Sequence, residues 1–166
     1  MRAVVLRERR VATLMLDSRL LSRGSESSAF HSMSTGTARL GVYVVEDSEI
    51  LTKLLVSMLR SDLGVEVVGS SGDADTAIAD IRALRPDVVI VDLVLRHGNG
   101  FEVLQGIRKS NVDAVAIVLT NHSTAAYREA ARNLGVDDEH FFDKTEQIGA
   151  MCNVIRAMAQ QRASPA

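Results

Sequence analysis

From Leu40 onward the chain alternates between short apolar runs and longer stretches with helical spacing. The runs at 42–45, 65–68, 88–91, 115–119 and 141–142 have the length and β-branched character of strands buried in a parallel sheet. Between them, apolar residues recur every three to four positions. Ile50, Leu51, Leu54, Leu55, Met58 and Leu59 predict a first helix, and Ile78, Ile81 and Leu84 a second, which ends before Pro86 because a helix does not easily continue there. Val103, Leu104 and Ile107 predict a third. Ala126, Ala130 and Leu134 predict a fourth, with Gly135 placed to terminate it. Ile148, Met151, Ile155 and Met158 predict the last, with Thr145 as a candidate N-cap. Such alternation requires a parallel sheet covered by helices on both faces, so the expected class is α/β, a doubly wound (βα)5 fold.

Residues 1–38 carry no such period. Val4-Val5-Leu6 and Leu14-Met15-Leu16 are isolated clumps, followed by a polar stretch from Ser22 to Ser28. The expectation is a disordered or weakly helical N-terminal extension over 1–38, ahead of one folded domain over 39–162. Met33 is a candidate start, since the folded pattern begins only at Leu40.

Charge sharpens that boundary. Residues 1–40 hold seven arginines against three acids, net +4, whereas residues 41–166 hold twelve bases against eighteen acids, net -6. The overall charge of -2 gives no electrostatic basis for bulk nucleic-acid binding. A single cysteine, Cys152, excludes an internal disulfide framework and a cysteine-cluster zinc site, and reads as a small apolar residue of the last helix. No apolar run approaches the ~20 residues of a membrane span or the ~7–15 of a secretory signal core, so a cytoplasmic protein without a membrane segment is expected.

In an open α/β sheet, ligands bind beyond the carboxyl ends of the strands. The residues just past those ends are Glu46 and Asp47 after the first strand, Asp92 after the third, Thr120 after the fourth and Lys144 after the fifth. The second strand ends in Gly69-Ser70-Ser71-Gly72, which carries nothing reactive. Three carboxylates gathered on one rim repel one another unless a cation sits among them. Oxygen-only donors suit a hard ion such as Mg²⁺. A carboxylate beside that ion can attack a phosphoryl group, whose developing charge then needs a lysine and a hydroxyl. Bland readings stand beside these: Asp92 as a turn cap, Glu46-Asp47 as the acidic start of a helix capped by Ser48 or Asp47, and Lys144 as a solvated charge or a partner of Asp143. Thr120 also fits a strand end for packing, and His97, His122 and His140 lack helical metal-ligand spacing.

With these motifs in order, the sequence resembles the receiver domain of two-component response regulators. The residues that carry the resemblance are Val44-Val45-Glu46-Asp47-Ser48, Val91-Asp92-Leu93, Gly98-Asn99-Gly100-Phe101, Leu119-Thr120 and Phe142-Asp143-Lys144. The ending Phe141-Phe142-Asp143-Lys144-Thr145 is similar to that of small stand-alone bacterial receivers. The resemblance spans 40–160 and implies a flavodoxin-like sheet of strand order 2-1-3-4-5. It implies that Asp92 accepts phosphate from a phosphohistidine on a sensor histidine kinase or histidine phosphotransfer protein. Glu46, Asp47, Asp92 and the backbone carbonyl of Val94 would hold Mg²⁺. Thr120 and Lys144 would engage the phosphoryl group, with Phe141 at the switch-aromatic position. Signalling would then pass through the face built by helix four, strand five and helix five, to a homodimer partner or a different protein. Two residues depart from the family pattern: Thr145 stands where a proline is usual, and Asn121 where a small residue is usual.

The expected function is therefore a phosphoacceptor module of a phosphorelay, not an enzyme, since it would catalyse only its own phosphorylation and dephosphorylation. Only residues 160–166 follow the last helix, so no output domain and no direct DNA binding are expected. The alternative is a phosphorylation-independent pseudo-receiver that acts by docking. A phosphatase with an aspartyl nucleophile needs a second acid two positions on, where Val94 stands. A nucleotide or flavin site lacks a glycine-rich loop after strand one.

Overall fold

The computed structural model describes residues 39–61 and 64–163. The expectations for 1–38, including the start at Met33, lie outside these residues. Five strands alternate with five α-helices: β1 Leu40–Val45, α1 Glu49–Arg60, β2 Val65–Ser71, α2 Ala74–Leu84, β3 Val88–Val91, α3 Gly100–Lys109, β4 Val115–Thr120, α4 Ala125–Asn133, β5 Phe141–Asp143 and α5 Ile148–Ala163. All pairings are parallel and the order is β2-β1-β3-β4-β5, as the doubly wound reading requires.

Alternation along each strand divides the apolar side chains between two faces. Tyr43, Val45, Val89, Val91, Val118 and Phe141 pack with Ala77, Ile81, Leu104 and Ala131 of α2, α3 and α4. Val42, Val44, Val88, Ile90, Ile117 and Phe142 pack on the opposite face with Leu55 and Leu59 of α1 and with Met151 and Ile155 of α5. Cys152 is buried in the second cluster, and Met58 and Met158 pack against it.

Several local expectations are corrected. β2 runs on through Ser71 and is an edge strand, mostly half-buried, rather than a fully buried run ending at residue 68. Its register against β1 shifts between Val42 and Tyr43, so that Tyr43 pairs with Gly69. A Cβ at Gly69 would stand 2.8 Å from the Tyr43 ring, which explains why glycine serves there. In α1, Ile50 and Leu54 are exposed, at 84% and 48%. They lie roughly 100° around the helix from Leu51 and Leu55, outside the width the sheet can cover. In α4, Tyr127 and Ala131 face inward in place of Ala126 and Ala130, one position on from the predicted pair, with Ala126 exposed, while Leu134 packs against the core as predicted. Thr145 does not cap α5, which begins at Ile148; the first helical bond runs from Met151 N–H to the Gln147 carbonyl.

Other ends follow from their residues. Ser48 caps α1, accepting from Leu51 N–H. Asn99 and Glu102 form a reciprocal capping box at α3. Gly135, at φ 95°, closes α4 with bonds from Gly135 N–H to the Arg132 carbonyl and from Val136 N–H to the Ala131 carbonyl, a Schellman arrangement.

Candidate functional site

The carboxyl ends of β1, β3 and β5 deliver one polar cluster. Parallel pairing puts Val45 beside Val91, and the Asp92 N–H donates to the Val45 carbonyl at 2.9 Å. Glu46 and Asp92, the residues that follow these partners, are therefore brought side by side. Glu46 N–H donates to the Ser71 carbonyl of β2, at 3.0 Å. Lys144 N–H donates to the Thr120 carbonyl at 3.1 Å, which sets the lysine immediately past β5.

The Lys144 ammonium bridges two acids, at 2.6 Å from Asp92 Oδ2 and 2.6 Å from Glu46 Oε2. Glu46 and Asp92 are buried and Lys144 is largely covered. Burial alone depresses the lysine's pKa, but the hydrogen bonds and charges of Asp92 and Glu46 outweigh it, and the net shift is upward. The second oxygen of each acid is also engaged: Glu46 Oε1 accepts from Ser48 N–H at 2.9 Å, and Asp92 Oδ1 from Val94 N–H at 3.2 Å.

Glu46, Asp47 and Asp92 each offer a carboxylate oxygen within 4.8 Å of the others, the group among the described residues able to hold a metal ion. His97, His122 and His140 lie outside it. An all-oxygen donor set of this charge fits a hard divalent cation such as Mg²⁺ and does not fit zinc, whose preferred donors are nitrogen and sulfur.

Two glycines allow the close approach. A Cβ at Gly100 would lie 2.1 Å from the Asp92 carbonyl oxygen and 2.7 Å from Leu93 Cα. A Cβ at Gly72 would lie 2.8 Å from Asp47 Cα. The segment 69–72 thus contributes packing space to the site although it carries no reactive group.

Thr120 is fully buried, and its Oγ1 accepts from His122 N–H at 3.2 Å. Asn121 is exposed. The His122 ring, also exposed, stacks on Tyr127 with centroids 5.6 Å apart. Phe141 is buried in the cluster beneath α2, α3 and α4. The Arg128 guanidinium sits 4.4 Å from its ring centroid and donates to its carbonyl at 3.3 Å. Asp143 does not pair with Lys144. It accepts from Ser123 Oγ at 2.7 Å and from Thr145 N–H at 2.8 Å. The Ser123 bond first, then the Thr145 bond, holds its pKa below the usual carboxylate value.

One residue at this rim has no counterpart among the sequence expectations. Arg96 donates from Nε to Asp47 Oδ2 at 3.0 Å and from Nη2 to the Asp47 carbonyl. The two residues are 49 positions apart, and no periodic signal links them.

A sequence model described as "Response regulator receiver domain" matches residues 42–156. Protein-glutamate methylesterase/protein-glutamine glutaminase 2 of Koribacter versatilis is 34% identical over 111 residues, which are 67% of this chain and 30% of that protein. The DNA-binding transcriptional activator DevR/DosR of Mycobacterium tuberculosis is 34% identical over 83 residues, 50% of this chain and 38% of that one. The chain thus spans about a third of the length of these curated relatives. Among solved structures, the response regulator domain of Thermotoga maritima CheB superposes with a TM-score of 0.63 at 22% identity, covering 77% of this chain and 98% of that one. A LuxR-family DNA-binding response regulator from Staphylococcus aureus gives 0.65 at 23% identity, covering 72% and 98%. These two likenesses concern the fold.

Proposed function

The chain belongs to the response regulator receiver domain family, and we propose that it is a phosphoacceptor of two-component signalling that takes a phosphoryl group onto Asp92. The observation that carries this reading is the Lys144 ammonium held 2.6 Å from Asp92, with Glu46 and Asp47 within 4.8 Å as companion acids. The donor is a phosphohistidine on a sensor histidine kinase or histidine phosphotransfer protein. An Asp92 carboxylate oxygen attacks phosphorus. The phosphorus–nitrogen bond breaks with its electron pair leaving on the imidazole, and an acyl phosphate remains on Asp92.

Glu46, Asp47, Asp92 and the Val94 carbonyl are the residues that would hold Mg²⁺. When bound, that ion supplies positive charge against the carboxylates and the phosphoryl oxygens. Lys144, with its raised pKa, remains a full cation at neutral pH and faces the same charge. The Thr120 hydroxyl is the donor to a phosphoryl oxygen, and Phe141 answers its movement. The output surface is then α4, β5 and α5, read by a protein partner or a second copy of the chain rather than by DNA. The chain acts catalytically only on its own phosphorylation and dephosphorylation. A cytoplasmic site of action is consistent with the receiver family; among the described residues no helix is long and apolar enough to cross a membrane.

Intact mass after incubation with Mg²⁺ and acetyl phosphate tests the reading. One phosphoryl group is expected on the wild type and none on Asp92→Asn. Absence from both folded proteins, with acetyl phosphate and with a phosphohistidine donor, would sink phosphoacceptor function in favour of docking alone.

A further inference from the structure

The three acids of the site are divided between two cations. Lys144 takes Glu46 and Asp92. Asp47 is left to Arg96, which holds it at two points, the carboxylate through Nε and the main-chain carbonyl through Nη2. We infer that Arg96 is a tethered counter-cation that competes with the divalent ion for Asp47 and so lowers the site's affinity for that ion. The inference rests on the Mg²⁺ reading above and adds to it a residue outside the ligand set.

The loop that carries Arg96 is fixed on both sides. Leu95 is buried in the core, and the His97 carbonyl accepts from Ala74 N–H at 3.2 Å. Asn99 is locked by its capping box. The backbone is therefore held while the side chain, 70% exposed, is free to swing into solvent. Asp47 has less room, because Gly72 lies close against its Cα. Exchange of partners at Asp47 thus moves the guanidinium and leaves the carboxylate in place. Arginine does not lose its proton in proteins, so it competes across the whole physiological pH range. Charge points the same way. Three carboxylates against Lys144 and Arg96 leave the metal-free rim with one net negative charge, whereas without Arg96 it would carry two and attract a divalent ion more strongly.

Calorimetric titration of the full chain with Mg²⁺ tests this, comparing wild type, Arg96→Gln and Lys53→Gln. Lys53 lines the same open groove and pairs with Glu49 at 3.5 Å, so its loss removes an equal charge without touching Asp47. As the contact removed is an exposed ion pair, Arg96→Gln should bind Mg²⁺ ~3-fold more tightly, while Lys53→Gln changes affinity less. An unchanged or weaker affinity in folded Arg96→Gln overturns the inference and leaves the Mg²⁺ reading intact. An equal gain in both variants also overturns it, since the effect would then be that of the general field. Failure of the wild type and both variants to bind Mg²⁺ at all would overturn the Mg²⁺ reading itself, and this inference with it.

Discussion

Lys144 and Asp92, 52 positions apart in the chain, meet at 2.6 Å, and the lysine does so from the end of a strand only three residues long. Glu46 shares the same ammonium. One positive charge is therefore shared by a pair of buried acids drawn from the ends of β1 and β3, which still leaves the trio one charge negative.

Removing that charge leaves two buried carboxylates face to face. Lys144→Gln should lower unfolding free energy by about 3 kcal/mol in the presence of a chelator. Millimolar Mg²⁺ should restore part of the loss, because the ion brings charge to the same acids. Urea unfolding with and without Mg²⁺ measures both; an identical loss in the two conditions would place the ion elsewhere.

Gly100→Ala forces a methyl group against the backbone of Asp92 and Leu93, which cannot rotate away. A destabilisation of at least about 2 kcal/mol is expected, with slower phosphorylation because the acceptor's own main chain is displaced. Gly149→Ala is the control. Nothing lies within 4 Å of a Cβ there, and it sits in the first turn of α5, so stability should rise by up to about 0.5 kcal/mol. Thermal unfolding of the two variants should move in opposite directions.

Tyr43 is fully buried and its hydroxyl donates to Asp80 Oδ2 at 2.7 Å. Burial first, and then the Asp80 bond, raise its pKa well above the ordinary tyrosine value. The folded protein keeps this proton after the unfolded chain has lost it, so the contribution to stability is full below about pH 10 and declines as pH rises beyond it. Tyr43→Phe should cost about 1 kcal/mol at neutral pH and flatten this alkaline decline. Denaturant unfolding at a series of alkaline pH values would show it, and an unaltered slope in the variant would refute the assignment.

Thr145 takes the position where a proline is usual, and its N–H donates to Asp143 Oδ1 at 2.8 Å. Proline has no such donor. Thr145→Pro should therefore cost about 1 kcal/mol in this chain, although it restores the family's usual residue. A gain in melting temperature would show that the bond contributes little.

The architecture was readable because strand and helix periods differ so clearly, and the polar rim because parallel strands deliver their final residues to one edge. Residues 88–91 illustrate the first point, since the apolar run and β3 coincide. Sequence and structure differ where periodicity is weak or too generous. The six apolar positions of α1 exceed what one sheet face can cover, so Ile50 and Leu54 remain outside. Alanines are small enough to suit either face, and α4 settled on Tyr127 and Ala131 instead of Ala126 and Ala130. Gly69-Ser70-Ser71 lacks the apolar signature of a strand, yet backbone pairing with β1 continues through it. Arg96 carried no signal, because a long side chain reaching across 49 positions leaves no trace in local spacing.

The shortness of β5 has a consequence for where the domain yields first. Phe141, Phe142 and Asp143 are all that pair with β4, whereas β1 is paired on both sides within the sheet. Amides of the β5 segment should thus exchange with solvent through small local openings, at a lower free energy than the amides of β1 and β3. Such an opening would carry Lys144 away from two acids that stay where they are. The acids of the site follow strands that are paired on both sides and their counter-charge follows a three-residue strand, so local opening of that strand would leave the acids without their cation.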